Sequence, residues 1–409
     1  MLCEDEIHPS RRAILGAAGA LFAWSFAPRY AFAAGGRDPR LVVVVLRGAL
    51  DGLAAVPPVG DPGYVPLRPG LALPASGDGA ALPLDGFFGL HPAMPNLARL
   101  YRAKQAAIVH ATATGYRERS HFDGQDVLES GQPRPGLTQS GWLNRAIALL
   151  PPGERIGAKG ALGIGAIAPL VVRGQAPVLG WAPQGLQQAD DDVARRVLQL
   201  YDEREPRLAA ALRQGLDTSR MASASGLGAL RPRSSPADPE GMALIATGAA
   251  KLMAASDGPR VAALALEGWD THVNAGGATG QLATRLGGLD RVFAIFEEEL
   301  KAVWRETVVV VMTEFGRTAR VNGTTGTDHG TATVAFLAGG AVKGGRVVAD
   351  WPGLAQNKLF EGRDLAATTD LRAVLKGVLV EHLGMDAKPL AEAIFPGTLA
   401  LPPMRGLIG

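Results

Sequence analysis

Three histidines stand beside an aspartate or two residues from one: His121 with Asp123, His272 with Asp270, and His329 with Asp328. Imidazole nitrogen and carboxylate oxygen suit divalent ions such as Zn, Mn or Fe, and an oxygen-rich subsite would also admit Mg or Ca. Asp270-Thr271-His272 sets its pair at i and i+2, and Asp328-His329-Gly330 sets its pair adjacent, before a glycine. Either pair alone fits a satisfied surface turn equally well. Two pairs, together with Asp51 and Glu314, define a candidate metal set of Asp51, Asp270, His272, Glu314, Asp328 and His329.

Ser120-His121-Phe122 opens a predicted helix. A helix N-terminus gathers unpaired N–H groups and positive dipole, so a serine there, next to a metal, has the setting of a nucleophile towards phosphate or a related ester. The competing reading is a plain helix cap, with Asp123 in capping-box position. His121 fits a ligand, a general acid or a packed histidine. Arg317 follows Glu314 by three residues and reads either as a clamp for an anionic substrate or as one half of an internal ion pair. Arg47, Arg117 and Arg119 are further anion-clamp candidates. The candidate catalytic set is therefore Ser120, His121 and Arg317.

These residues need elements to carry them. Leu41 to Leu46, Ala106 to Ala111, Val261 to Leu266, Val308 to Met312 and Thr333 to Ala338 are apolar runs suited to strands buried on both faces. Helical patterns lie between them at 91–104, 120–128, 142–150, 242–255, 281–302 and 370–382. Such alternation predicts an α/β fold with a largely parallel central sheet flanked by helices. In that architecture ligands bind beyond the carboxyl ends of the strands. Asp51, Ser120/His121, Asp270/His272 and Glu314 all fall there, an argument that depends on no single motif. Residues 57–86 read as an irregular excursion. Residues 151–240 are the least legible, with a helix expected at 190–214, and suggest an insertion or lid.

Two adjacent arginines, Arg11-Arg12, precede a moderately apolar run from Ala13 to Ala27 and the small-x-small pattern Ala31-Phe32-Ala33. Residues 1–33 therefore read as a twin-arginine signal peptide, which makes the translocase a partner and the periplasm or exterior the destination. An uncleaved membrane anchor is the alternative. Residues 34–409 are expected to form one domain with no membrane span. The only cysteine is Cys3, so the rest of the chain has neither disulfide nor thiolate chemistry. The 41 basic and 39 acidic residues give no electrostatic footprint for nucleic acid. There is no G-x-G-x-x-G after the first strand, no P-loop and no G-x-S-x-G elbow.

Taken in order, the twin-arginine start, Leu46-Arg47-Gly48-Ala49-Leu50-Asp51-Gly52, Ser120-His121-Phe122-Asp123-Gly124-Gln125, Gly268-Trp269-Asp270-Thr271-His272, Thr313-Glu314-Phe315-Gly316-Arg317-Thr318 and Gly326-Thr327-Asp328-His329-Gly330 resemble the bacterial family known as domain of unknown function 1501. The resemblance implies a remote relation to the alkaline phosphatase and sulfatase superfamily, and hence an alkaline-phosphatase-like layered fold. It would match Asp51 to the first metal carboxylate and Ser120 to the nucleophile. Asp270 and His272 would match the third element, Glu314 the aspartate of an Asp-His pair, and His329 the last histidine. The chain departs from that pattern in three places. Asp270 and His272 are two apart where four is usual, with Asn274 at the fourth position. Phe315 stands where a histidine is expected, against a complete second metal site. Phe122 and Gly124 replace the proline and arginine of the sulfatase signature, against a formylglycine sulfatase.

The leading expectation is an exported metal-dependent hydrolase of phosphate or related esters. Its substrate would be a small molecule or a glycan or lipid ester. The alternative is a non-catalytic periplasmic binding or assembly protein on the same fold. A redox protein would need a cofactor fingerprint that the sequence lacks.

Overall fold

The computed structural model describes residues 38–409 except 151–159, 166, 184–190, 228–234 and 236. Residues 1–33, expected to be a signal peptide, lie outside the described residues. Five of the strands are the ones anticipated: β1 (Arg40–Leu46), β2 (Ala106–Ala113), β5 (Val261–Leu266), β6 (Thr307–Thr313) and β7 (Thr333–Ala338). Four short ones complete the sheet: β3 (Ala161–Ile164), β4 (Val178–Trp181), β8 (Arg346–Val348) and β9 (Thr369–Asp370). The order is β8-β2-β7-β6-β1-β5-β3-β4, with β9 also pairing β2. Only β7 runs against its neighbours, β2 and β6; every other pairing is parallel. The fold is thus α/β with a large, mostly parallel central sheet.

β1 shows why the valine run becomes a central strand. Its side chains alternate between two separate cores: Val42, Val44 and Leu46 enter one, and Leu41, Val43 and Val45 the other. A two-residue period with apolar groups on both sides suits a strand covered above and below. Each such side chain, fully buried, contributes about 1.5–3 kcal/mol. The first core is covered by α1 (Pro95–Arg102), α6 (Pro239–Ala254) and α7 (Gln281–Glu299). The second is covered by α3 (Trp142–Ala148) and α8 (Leu371–Leu383).

The pattern expected at 190–214 is two helices, α4 (Asp191–Arg204) and α5 (Pro206–Ala224), because Pro206 cannot continue the first. Within 151–240, β3 and β4 add directly to the sheet, so that part of the segment is sheet rather than lid. No helix among the described residues is long and apolar enough to cross a membrane.

Register decides where the chemistry falls. Leu46 pairs with Leu266 on one side and with Thr313 on the other. The loops that carry Asp270 and Glu314 therefore leave the sheet level with the end of β1. β2 ends beside them at Ala113 and leads to α2 (His121–Ser130).

Candidate metal centre at the carboxyl edge of the sheet

Loops from four places meet at this edge, and glycine permits the closest approaches. Gly48 has φ +118°, and a Cβ there would lie 2.6 Å from the Asp270 nitrogen. A Cβ on Gly326 would lie 2.1 Å from the His272 carbonyl oxygen. Larger residues would force the loops after β1, β5 and β6 apart.

His121, Asp270 and His329 each offer one donor atom, and these atoms all lie within 4.8 Å of one another. His272 adds a fourth. Its Nε2 lies 2.9 Å from His329 Nε2 and 3.1 Å from Asp270 Oδ1. His329 Nε2 is 3.4 Å from Asp270 Oδ1, and His121 Nε2 is 3.4 Å from Asp270 Oδ2. Four donors arranged tetrahedrally at about 2.0–2.1 Å from a zinc ion stand about 3.4 Å apart. The four separations given, 2.9–3.4 Å, are of that order, and His272 stands outside the group whose donor atoms all lie within 4.8 Å of one another.

The outer nitrogen of every imidazole is pinned. His121 Nδ1 donates to Glu314 Oε1 at 2.9 Å, His272 Nδ1 to Asp328 Oδ1 at 3.1 Å, and His329 Nδ1 to the Arg119 carbonyl at 2.9 Å. An acceptor on Nδ1 is the usual support behind metal-binding histidines, because it keeps a proton on Nδ1 and leaves Nε2 as the donor once any proton there is displaced. His121 Nε2 is buried and faces Asp270 Oδ2 at 3.4 Å. The donor chemistry and the spacing fit a divalent ion.

The charges agree. Asp270 and then Glu314 hold His121 protonated, pushing its pKa up to about 9. Burial favours the neutral form of Asp270, but His121, His329 and Arg317 outweigh it and keep the carboxyl well below the usual carboxylate range. Burial likewise opposes ionisation of Glu314, and its hydrogen bonds from His121, Gly48 and Gln125 win.

The structure redistributes several expected roles. Glu314, fully buried, accepts from His121, from Gly48 N at 2.8 Å and from Gln125 Nε2 at 3.2 Å, so it holds the His121 ring through Nδ1. Asp328 does the same for His272 and also accepts from Asn322 Nδ2 at 3.0 Å. Asp51 is not brought into the group. It caps the turn Gly52–Ala55 through Ala54 N and is paired with Arg68, both side chains buried. Arg317 is also buried and is spent on Asp270 and on the Thr327 carbonyl, which leaves it no hand for a substrate. His121 belongs with the donors. Ser120 is the N-cap residue of α2, but its hydroxyl makes no cap bond.

Sequence reasoning missed Arg68, which lies in the Pro/Gly-rich excursion, and the carbonyl of Arg119. Phe315, which the sequence places beside Glu314 as a residue shaping the pocket or core, stacks its ring on His121 at 5.1 Å and 27°. Asp364 was missed as well; buried, it holds Arg119.

Solved structures that resemble the chain do so loosely. The C-terminal periplasmic domain of EcEptC from Escherichia coli, in complex with Zn, is 12% identical, with 75% of this chain and 73% of that chain covered at a TM-score of 0.33. A phosphonate monoester hydrolase of Agrobacterium radiobacter is 12% identical, covering 85% and 74% at 0.32. A protein in the alkaline phosphatase superfamily from Vibrio parahaemolyticus is 12% identical, covering 74% and 60% at 0.31. No curated protein matches the chain. The sequence family described as protein of unknown function (DUF1501) matches residues 80–394, a span that holds every residue of the centre. The chain is a member of that family.

Proposed function

We propose that this protein is an exported metal-dependent hydrolase of phosphate or related esters, built on an alkaline-phosphatase-like arrangement with one divalent ion. His121, Asp270, His272 and His329 would hold the ion. The observation that carries this reading is the convergence of three pinned imidazoles on one carboxylate. Three nitrogen donors and one oxygen favour Zn over Mg, which prefers oxygen, with Mn the next choice. A divalent ion here supplies Lewis acidity and lowers the pKa of a neighbouring hydroxyl or water.

The chain's own residues divide the remaining work. Ser120 is the nucleophile. Its hydroxyl is not used as a cap, and it stands at the start of a 10-residue helix whose first N–H groups favour an anion. Arg317 holds Asp270 ionised, and Glu314 orients His121. Export by the twin-arginine route rests on Arg11-Arg12 and the segment after them.

One observation favours the non-catalytic binding protein instead. Every arginine expected as an anion clamp has protein partners: Arg47 has Glu129 and Glu267, Arg119 has Asp364 and Glu361, Arg317 has Asp270, and Arg117 has the carbonyls of Thr114 and Tyr116. The two readings separate on one experiment. Bound metal is measured in the purified protein, and aryl phosphate and aryl sulfate are assayed with and without chelator. The hydrolase reading expects chelator-sensitive turnover that Ser120→Ala abolishes while metal content stays unchanged. Stoichiometric metal without turnover of either ester would leave the binding protein.

A further inference from the structure

We propose that Arg119 is a positioning residue for His329, acting through its backbone and not through its charge on a substrate. This rests on the reading of His329 as a metal ligand. Arg119 has φ +62°, in the left-handed region that a side chain larger than glycine rarely occupies. That turn aims its carbonyl at His329 Nδ1, 2.9 Å away. An unfavourable backbone conformation persists only where its surroundings over-determine it. Here they do. Arg119 Nε donates to Asp364 Oδ2 at 3.0 Å, and Nη2 donates to Glu361 Oε2 at 2.6 Å. Asp364 is buried and itself accepts from Thr331 Oγ1 at 2.9 Å. Glu361 is also left-handed, at φ +54°.

The guanidinium is therefore an anchor. It ties residue 119 to the segment 361–364, holds the strained turn, and presents a carbonyl that fixes the His329 tautomer with Nε2 inward. The same segment reaches His329 a second time, through Arg363 Nη2 on the His329 carbonyl at 2.8 Å. Ser120 and His121 follow Arg119 directly, so the anchored turn also sets where α2 begins.

The test compares the wild type with Arg119→Ala, which removes the anchor and keeps the strain, and Arg119→Gly, which removes both. Arg119→Lys serves if the alanine variant does not fold. The first readout is the ring-nitrogen NMR of His329 in metal-free protein. The wild type should show the Nδ1–H tautomer, and Arg119→Ala a mixture. The second is Co(II) titration, where Arg119→Ala should bind about 10–100-fold more weakly, as expected for loss of a partner behind a ligand. Arg119→Gly should fall between. An alanine variant with wild-type tautomer and Co(II) affinity overturns the proposal, as does a glycine variant weaker than the alanine one. If the wild type takes up no Co(II) while the His329 tautomer still follows residue 119, the metal reading fails and the positioning role stands.

Discussion

Two acid–base groups share the carboxyl edge of the sheet and have opposite characters. In the Asp51–Arg68 pair both side chains are buried, and Asp51 has Arg68, Ala54 N and the Thr327 hydroxyl at 3.4 Å as partners. Around Asp270 the imidazoles are partly exposed, their outer nitrogens are paired, and their inner nitrogens face one another. The first arrangement is closed on itself and does structural work: Arg68 also reaches the carbonyls of Thr318 and Ala319, tying the loop after β6 to the end of β1. The second is paired on its outside by Glu314, Asp328 and the Arg119 carbonyl, and turns its Nε2 atoms towards Asp270. An aspartate after a strand is thus not a ligand by position alone: Asp51 and Asp270 each have an arginine, Arg68 and Arg317, and what sets Asp270 apart is that His121, His272 and His329 also face it.

The contrast can be broken most forcefully at Arg68. Arg68→Met strands a buried carboxylate, and unfolding free energy should fall by about 3–5 kcal/mol in chemical denaturation. An unchanged midpoint would mean that the pair is not the closed group described here.

At the open group the same kind of change should be read by metal, not stability. His272→Ala should weaken Zn or Co(II) binding more than about 100-fold, beyond the 10–100-fold typical of outer partners. Its metal-free stability should change by about 1 kcal/mol or less, since the ring is partly exposed. Glu314→Gln sharpens the distinction between ligand and orienter. Affinity should drop about 10–100-fold while the stoichiometry of one ion stays. Complete loss of the ion would return Glu314 to the ligand set.

The pH dependence follows from His121. Its pKa is raised from 6.5 to about 9, so the stability it contributes to the metal-free protein is fully present below about pH 6.5 and is lost as pH rises through about 9. Metal uptake must displace that proton, so affinity should rise with pH across the same window. Calorimetry in buffers of different ionisation enthalpy, near pH 7.5, would count the proton; none released means that His121 is no ligand. The smallest effect belongs to Ser120→Ala. With no cap bond to lose, its melting temperature should match the wild type, and a clear drop would show that the hydroxyl caps α2 in solution.

Much of the scaffold was legible because the valine-rich runs state both their period and their burial. β3 and β4 were not. They are four residues each, and both contain glycine, so no run of adequate length marks them. At the centre, Asp270, His272 and His329 were legible from Asp–His spacing, and His121 from its place at a helix start. The roles of Glu314 and Asp328 were not, because a ligand and the partner behind a ligand are the same residue type at the same strand end. Only three-dimensional register, which sets Gly48 N and His121 Nδ1 on Glu314 Oε1, separates them. Arg68 gave no signal at all, since an arginine within a Pro/Gly-rich stretch reads as solvated loop.

The most direct test is a crystal structure of the Zn-loaded protein with an anomalous difference map. One peak per chain is expected, bonded at about 2.0–2.1 Å to Nε2 of His121, His272 and His329 and to a carboxylate oxygen of Asp270, with Glu314, Asp328 and the Arg119 carbonyl on the Nδ1 atoms behind. No peak there, or a peak bonded to Glu314 or Asp51, would contradict that arrangement.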